Sequence, residues 1–325
     1  MGKKIGSSPV FSGLIHITSE GLDSERLSLH DVHHDAGKMA RAAASTFKLT
    51  GMPSATLPLD LCSSAEALGA ELGFYKGDEN MFPQVNKLLF QSSHEIVDRF
   101  SSDSELSPRQ RGRIPLICEV IRLVKKDIGD HVVISGLIPG PYTLLIYICK
   151  AQNLFSEMKS EPAMVLNALH HLTDFLADIG NAYIEAGADL ITIHDMGGSA
   201  GFIGPLKYEQ FVFPSERDLI DRLPKPTVLS VCGQMDKSLH LLAQTGADAV
   251  SVDHLTDLVA ARKALKDTLL FGNIDPVETL LRGDEADITE AVQKAKEAGV
   301  DAVWPGCDLV PSMSIQNIRA LANGR

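Results

Sequence analysis

Two cysteines carry the sharpest chemical signal in the chain. Cys232 stands next to last in the run PTVLSVCG (226–233), and Cys307 closes AGVDAVWPGC (298–307). Each stands where a short apolar run gives way to polar residues, so the two can converge if those runs end at one rim. A pair of thiolates suits zinc, which takes sulfur and nitrogen donors in tetrahedral geometry. A catalytic zinc needs three protein ligands and one open position, and a thiol substrate in that position binds as thiolate. The competing interpretation is two small buried hydrophobes, which free cysteine often is. Further polar residues follow other apolar runs: Asp60 and Cys62, His194-Asp195, Ser230, Asp253-His254, Asn273 and Asp275, and Gly306-Cys307-Asp308. For any one of them, polarity resuming in a loop is explanation enough. As a set they look like an active-site rim. His170-His171 falls inside an amphipathic helical stretch and reads as structural, and Cys118 and Cys149 fall in apolar helical runs and read as core. DVHHDAG (31–37) has one residue too many for the D-x-H-x-x-G loop that binds cobalamin through histidine, and it is set aside.

The elements that would carry these residues repeat. AGADLITIHD (186–195), TGADAVSVDH (245–254) and AGVDAVWPGC (298–307) each follow a helical stretch. Each reads as a glycine that ends a helix, an acidic residue, and a buried parallel strand. Further strands are expected in SATLPLDL (54–61), HVVISGLI (131–138), PTVLSVCG (226–233) and TLLFGNID (268–275), with an eighth near Lys87–Phe90. Helices are expected over about 36–48, 142–155, 162–185, 235–244, 256–266 and 286–297. This alternation predicts a single-domain α/β fold, a (β/α)8 TIM barrel over 1–325, with 1–50 as an N-terminal extension packing on it. Barrel chemistry sits where the strands' C-terminal ends meet, which places the polar set above on one face.

Composition is that of an ordinary globular protein, with 44% hydrophobic and 22% charged residues in 325. The net charge of −12 argues against nucleic acid or an anionic membrane as partner. MGKKIGSSPVFSG lacks the long apolar run of a signal peptide, and no stretch is long enough to span a bilayer. Five scattered cysteines imply a reducing, cytoplasmic compartment, where they serve as thiols or metal ligands.

Several segments together resemble one family. KMARAAASTFKLTG, LPLDLCSSAEALGAEL, GPYTLLIY, GPLKYEQFVFP, VCGQMDKSLHLLAQTGADAVSVD, GNIDPVETLLRG and PGCDLVPSMSIQNIRAL are similar to the uroporphyrinogen decarboxylase superfamily from about Asp31 onward. Within it the chain resembles the corrinoid-dependent methyltransferases, such as the methylcobalamin:coenzyme M enzymes. Decarboxylases carry an arginine pair of the MRQAGRY type near the N-terminus, where this chain has GLIHITSEGLDSERL, and a histidine where Cys307 stands. Asp60 matches the decarboxylases' pyrrole-binding aspartate and Tyr147 their active-site tyrosine, and both positions recur in the methyltransferases. The methyltransferases' H-x-C-G, whose His and Cys bind zinc, reads Ser230-Val231-Cys232-Gly233 here. A serine hydroxyl is a poor zinc ligand. His194 or His254 could supply the missing imidazole, a carboxylate could complete a weaker site, or zinc could be lost.

The resemblance implies a corrinoid-dependent methyltransferase of anaerobic one-carbon metabolism. A methyl group would move between a corrinoid (a protein-bound methylcobamide) and a small thiol such as coenzyme M, with zinc activation. The corrinoid would arrive on a partner protein docking at the barrel mouth. Cys232, Cys307 and His194 would hold the metal. Asp60, Tyr147 and Asp195 would line the reacting centre, and Asn273 and Asp275 the cofactor side. Three alternatives stand beside it: an O-demethylase component that methylates a corrinoid protein from a methyl ether, a uroporphyrinogen decarboxylase, and a non-catalytic binding protein.

Overall fold

In a computed structural model of the chain, residues 8–75, 81–102 and 107–324 are described. The first seven residues, part of the stretch where no signal peptide is expected, lie outside them. Seven strands form one parallel sheet: β1 (Ser54–Leu57), β2 (Val133–Pro139), β3 (Leu190–Asp195), β4 (Thr227–Val231), β5 (Ala249–Val252), β6 (Leu269–Ile274) and β7 (Ala302–Pro305). They pair in chain order, each with the next, as a barrel requires.

The eighth position is not filled from 87–90. Phe90 makes an isolated bridge to Cys149, away from the sheet. The N-terminal segment fills it instead. Val10 bridges Val303 of β7, and the amide of Ser12 donates to the Ser54 hydroxyl of β1 at 3.0 Å. The same segment plugs the barrel. Leu14 and Phe11 pack with Leu190, Val228, Phe271 and Trp304 in a core separate from the one under the helices. Phe11 meets Phe271 and Trp304 edge-on at 5.5 and 5.2 Å between ring centroids.

The three repeated phrases share one local mechanism. Gly187, Gly246 and Gly299 take φ of 116°, 82° and 90°, a conformation that costs glycine nothing. The acidic residue that follows reaches back to a neighbouring strand: Asp189 accepts from the Ile134 amide, Asp248 from Thr227 and Asp301 from Leu270, at 2.8–2.9 Å. Each unit thereby fixes the register of the strand pair it joins.

Helices Ala36–Thr50, Pro162–Ala186, Leu258–Leu265 and Glu285–Glu297 form where the apolar spacing places them. The stretch 142–155 breaks into two helices, Pro141–Ile148 and Ala151–Ser160, because Cys149 turns extended to meet Phe90. Cys149 is therefore buried but not helical. The stretch 235–244 forms only a short turn and Leu239–Leu242. Ile114–Ile128, not anticipated, buries Ile117, Ile121, Val124 and Ile128 at helical spacing. Among the described residues no helix is long and apolar enough to cross a membrane.

Candidate active site

The strands' C-terminal ends bring three donors to one point. His194 is the penultimate residue of β3, Cys232 follows β4, and Cys307 lies two residues past β7. His194 Nε2 lies 3.8 Å from the Cys232 sulfur and 3.9 Å from the Cys307 sulfur. The two sulfurs are in direct contact, disulfide-paired, with Cα atoms 6.0 Å apart. Cys62, Cys118 and Cys149 are free thiols. All three donor atoms of the cluster fall within 4.8 Å of one another.

Backbone pairing holds the cluster. The Cys232 amide donates to the Asp195 carbonyl at 2.9 Å, and the Gly306 amide to the Ile274 carbonyl at 2.8 Å. A side chain at Gly306 would sit 2.8 Å from the His254 nitrogen, so glycine is what lets this turn bring Cys307 inward.

His194 and Ser230 are partners in the β3–β4 register. The imidazole therefore occupies the same rung as the Ser230 side chain, one strand away. With both cysteines reduced, two thiols and one imidazole make a set that zinc accepts, leaving a fourth position for a ligand. The chemistry of these donors fits the metal. His254 does not join them: its ring pairs with Asp253 at 2.8 Å and Asp275 at 3.5 Å.

Beside the cluster lies a cavity of about 580 Å³. Asp60, Cys62, Tyr147, Met196, Cys307 and Asp308 line part of it. Asp308 accepts from the Ile15 amide at 2.8 Å and lies 3.3 Å from His194 Nε2. Burial, then the acidic groups nearby, raises the Tyr147 phenol, so it stays protonated at neutral pH. Burial likewise pushes the Cys62 thiol up to about 12, which makes it a packing group rather than a nucleophile.

Asp60 touches this cavity but is saturated. Arg113 donates to both its oxygens at 2.9 and 3.3 Å, and the amides of Cys62 and Ser63 donate to Oδ1 at 2.9 Å. His33 lies 3.3 Å away. Burial alone would raise this carboxyl, but Arg113 and His33 hold it well below the usual carboxylate range. Arg113 also binds Glu66 at 2.7 Å and covers the Phe74 ring at 5.1 Å. The network organises the wall of the cavity.

Asp195 lies behind the site, fully buried. Its Oδ1 accepts from Thr143 and from the amides of Gly197 and Gly198, which shapes the loop leaving β3. Burial raises it, and burial followed by Asp195 raises the neighbouring Glu216 further. Tyr208 donates to Glu216 at 2.7 Å. Asn273 and Asp275 face a separate groove of about 740 Å³ that does not include Cys307. There the Asn273 amide binds the carbonyls of Asp253 and Thr256, and Asp275 caps Val277 and Glu278.

The structure thus gathers His194, Cys232 and Cys307, sets Asp60 and Tyr147 on the adjoining wall, and leaves Asp195, Asn273 and Asp275 apart. Arg113, His33 and Glu216 were missed in the sequence. Arg113 stands in RQRGR, which reads as surface charge, and nothing local marks its partner 53 residues away.

Comparisons with known proteins place the chain by family and fold. The uroporphyrinogen decarboxylase (URO-D) family model matches residues 2–324. The chain is 30% identical to the methylcobamide:CoM methyltransferase MtbA of Methanosarcina acetivorans, covering 93% of this chain and 88% of that protein. It is 29% identical to the methylcobamide:CoM methyltransferase MtaA of Methanosarcina barkeri, covering 100% and 94%. A solved structure of a methyltransferase from Methanosarcina mazei superposes with a TM-score of 0.91 at 26% identity, over 99% of this chain and 94% of that one.

Proposed function

The chain belongs to the uroporphyrinogen decarboxylase family, and we propose that within it this enzyme is a corrinoid-dependent methyltransferase serving a small thiol. The observation that carries the proposal is the His194–Cys232–Cys307 cluster, which meets a cavity at the barrel mouth through Cys307. His194 takes the role that Ser230 cannot. Zinc held by these three residues would bind a substrate thiol at its open position and keep it as a thiolate.

The remaining work falls to the chain itself. Cys232 and Cys307 must be reduced and give up their protons on loading. The proton a thiol releases on binding would leave to solvent past the partly exposed Asp308 carboxylate. Tyr147 and Met196 close one side of the cavity and keep water from the reacting atoms.

The methyl group would be delivered by a corrinoid carried on a partner protein. Among the described residues, large exposed hydrophobics gather on segments that leave the strands' C-terminal ends. Phe202 and Leu206 follow β3, Leu255 and Val259 follow β5, Val277 follows β6 and Val310 follows β7. Such a collar around a barrel mouth favours docking there. A decarboxylase would need Asp60 free for pyrrole N–H groups, but Arg113 already holds it. A site that needs Cys232 and Cys307 reduced before it can load a metal would suit a cytoplasmic enzyme of one-carbon metabolism.

The test is loss of methylcobalamin absorbance with a thiol acceptor, alongside turnover of uroporphyrinogen. Methyl transfer by the wild type that Cys307→Ser abolishes supports the proposal. Porphyrinogen decarboxylation without methyl transfer refutes it.

A further inference from the structure

We propose that the thiol accepted here is uncharged or cationic at its far end, and that a thiol bearing a sulfonate or carboxylate is disfavoured. The inference rests on the methyl-transfer proposal and concerns the same cavity.

An anionic tail must find fixed positive charge or free N–H donors, because a desolvated anion with neither is strongly disfavoured. Among the described residues that line the cavity there is no lysine or arginine. The guanidinium behind its wall, Arg113, is spent: Nε donates to Glu66, and the two terminal nitrogens to Asp60. Its side chain is only 7% exposed. The amides of Cys62 and Ser63 could have cradled an anion, but both already donate to Asp60. The Gly197 and Gly198 amides are likewise occupied by Asp195.

The charge that does face the cavity has the opposite sign. Asp308 lines it with its side chain 14% exposed, so its carboxylate reaches solvent inside the mouth. Asp60, Glu66 and Arg113 together sum to one further negative charge, since two carboxylates share one guanidinium. The rest of the described lining is largely apolar, with Ile15, Phe82, Leu88, Leu309 and Val310, and its one side-chain amide, Gln84, is neutral and exposed to solvent. Such a site repels a sulfonate and tolerates a hydroxyl or an ammonium. This chain would therefore differ in acceptor from the CoM enzymes it resembles, since coenzyme M is 2-mercaptoethanesulfonate.

Three thiols of one skeleton test this: 2-mercaptoethanol, cysteamine and 2-mercaptoethanesulfonate. Their dissociation constants are measured by calorimetry on the reduced, zinc-loaded protein, and methyl transfer from methylcobalamin is followed in parallel. We expect the sulfonate to bind roughly tenfold or more weakly than mercaptoethanol, as one unfavourable charge contact in a half-dry site implies. Val310→Lys, at the exposed edge of the cavity, should narrow that ratio by improving the sulfonate alone. Sulfonate binding as tight as mercaptoethanol, or no measurable binding of any of the three, overturns the inference. The expected binding order without methylation of any thiol upholds it and overturns the methyl-transfer proposal instead.

Discussion

Replacing Arg113 with methionine removes the positive member of a buried network and leaves its carboxylates in place. Asp60 has no exposed side-chain surface and Arg113 has 7%, so water can do little to compensate. Removing one partner of a buried ion pair costs about 3–5 kcal/mol, most of it from the charge left unpaired. At about 2 °C per kcal/mol for a domain of this size, the melting temperature should fall by roughly 6–10 °C. The double variant Asp60→Asn, Arg113→Met removes both charges and should be less damaged than the single one. Its cost should fall well short of the sum of the two single changes. Acid supplies a second check. The Asp60 carboxyl is held below its ordinary value in the folded protein, so its contribution is full above about pH 4 and fades as pH falls further. The gap between wild type and Arg113→Met should therefore narrow in acid. Urea unfolding at pH 7 and pH 3.5 measures all of this. A cost below about 1 kcal/mol for Arg113→Met, or strict additivity in the double variant, would refute the argument that the pair is buried and mutually dependent.

Other consequences follow from the same geometry. Because His194 and Ser230 share a rung, His194→Ala should lose zinc, and adding Ser230→His should recover much of it from the neighbouring strand. Metal content of the two proteins decides. Burial raises Glu216 well above the usual carboxyl range, so stability drawn from its protonated form is complete below about pH 4 and lost as pH rises through the raised value. Glu216→Gln should flatten the alkaline side of the stability profile, and melts from pH 6 to pH 10 would show no flattening if the group were charged throughout. Phe202→Asp with Leu206→Asp should raise KM for a methylated corrinoid protein roughly tenfold, and weaken transfer from free methylcobalamin much less. Equal losses for both donors would rule out docking at that part of the rim.

Much of the fold was legible because it is written locally and repeatedly. The glycine and the aspartate of AGADL, TGADA and AGVDA do the same two jobs each time, ending a helix and fixing a strand. Cys232 and Cys307 were legible as a pair because both follow short apolar strands. What escaped depends on partners distant in the chain. The segment 9–16 has no strand pattern of its own and is ordered by the edges of β1 and β7. Arg113, in the turn before a helix, and Glu216, inside one, are charged residues for which solvent is the ordinary expectation, and only the folded chain shows the acids they meet. Cys149 looked helical because its neighbours are apolar, but pairing with Phe90 overrides that preference.

The central claim is that His194, and not Ser230, completes a zinc site with Cys232 and Cys307. It is tested most directly by zinc stoichiometry and X-ray absorption on protein purified under reducing conditions. About one zinc per chain with two sulfur ligands and one imidazole, lost in His194→Ala, Cys232→Ser and Cys307→Ser but kept in Ser230→Ala, is the predicted result. Zinc retained at full occupancy in His194→Ala, or a reduced wild-type protein that takes up none, would contradict it.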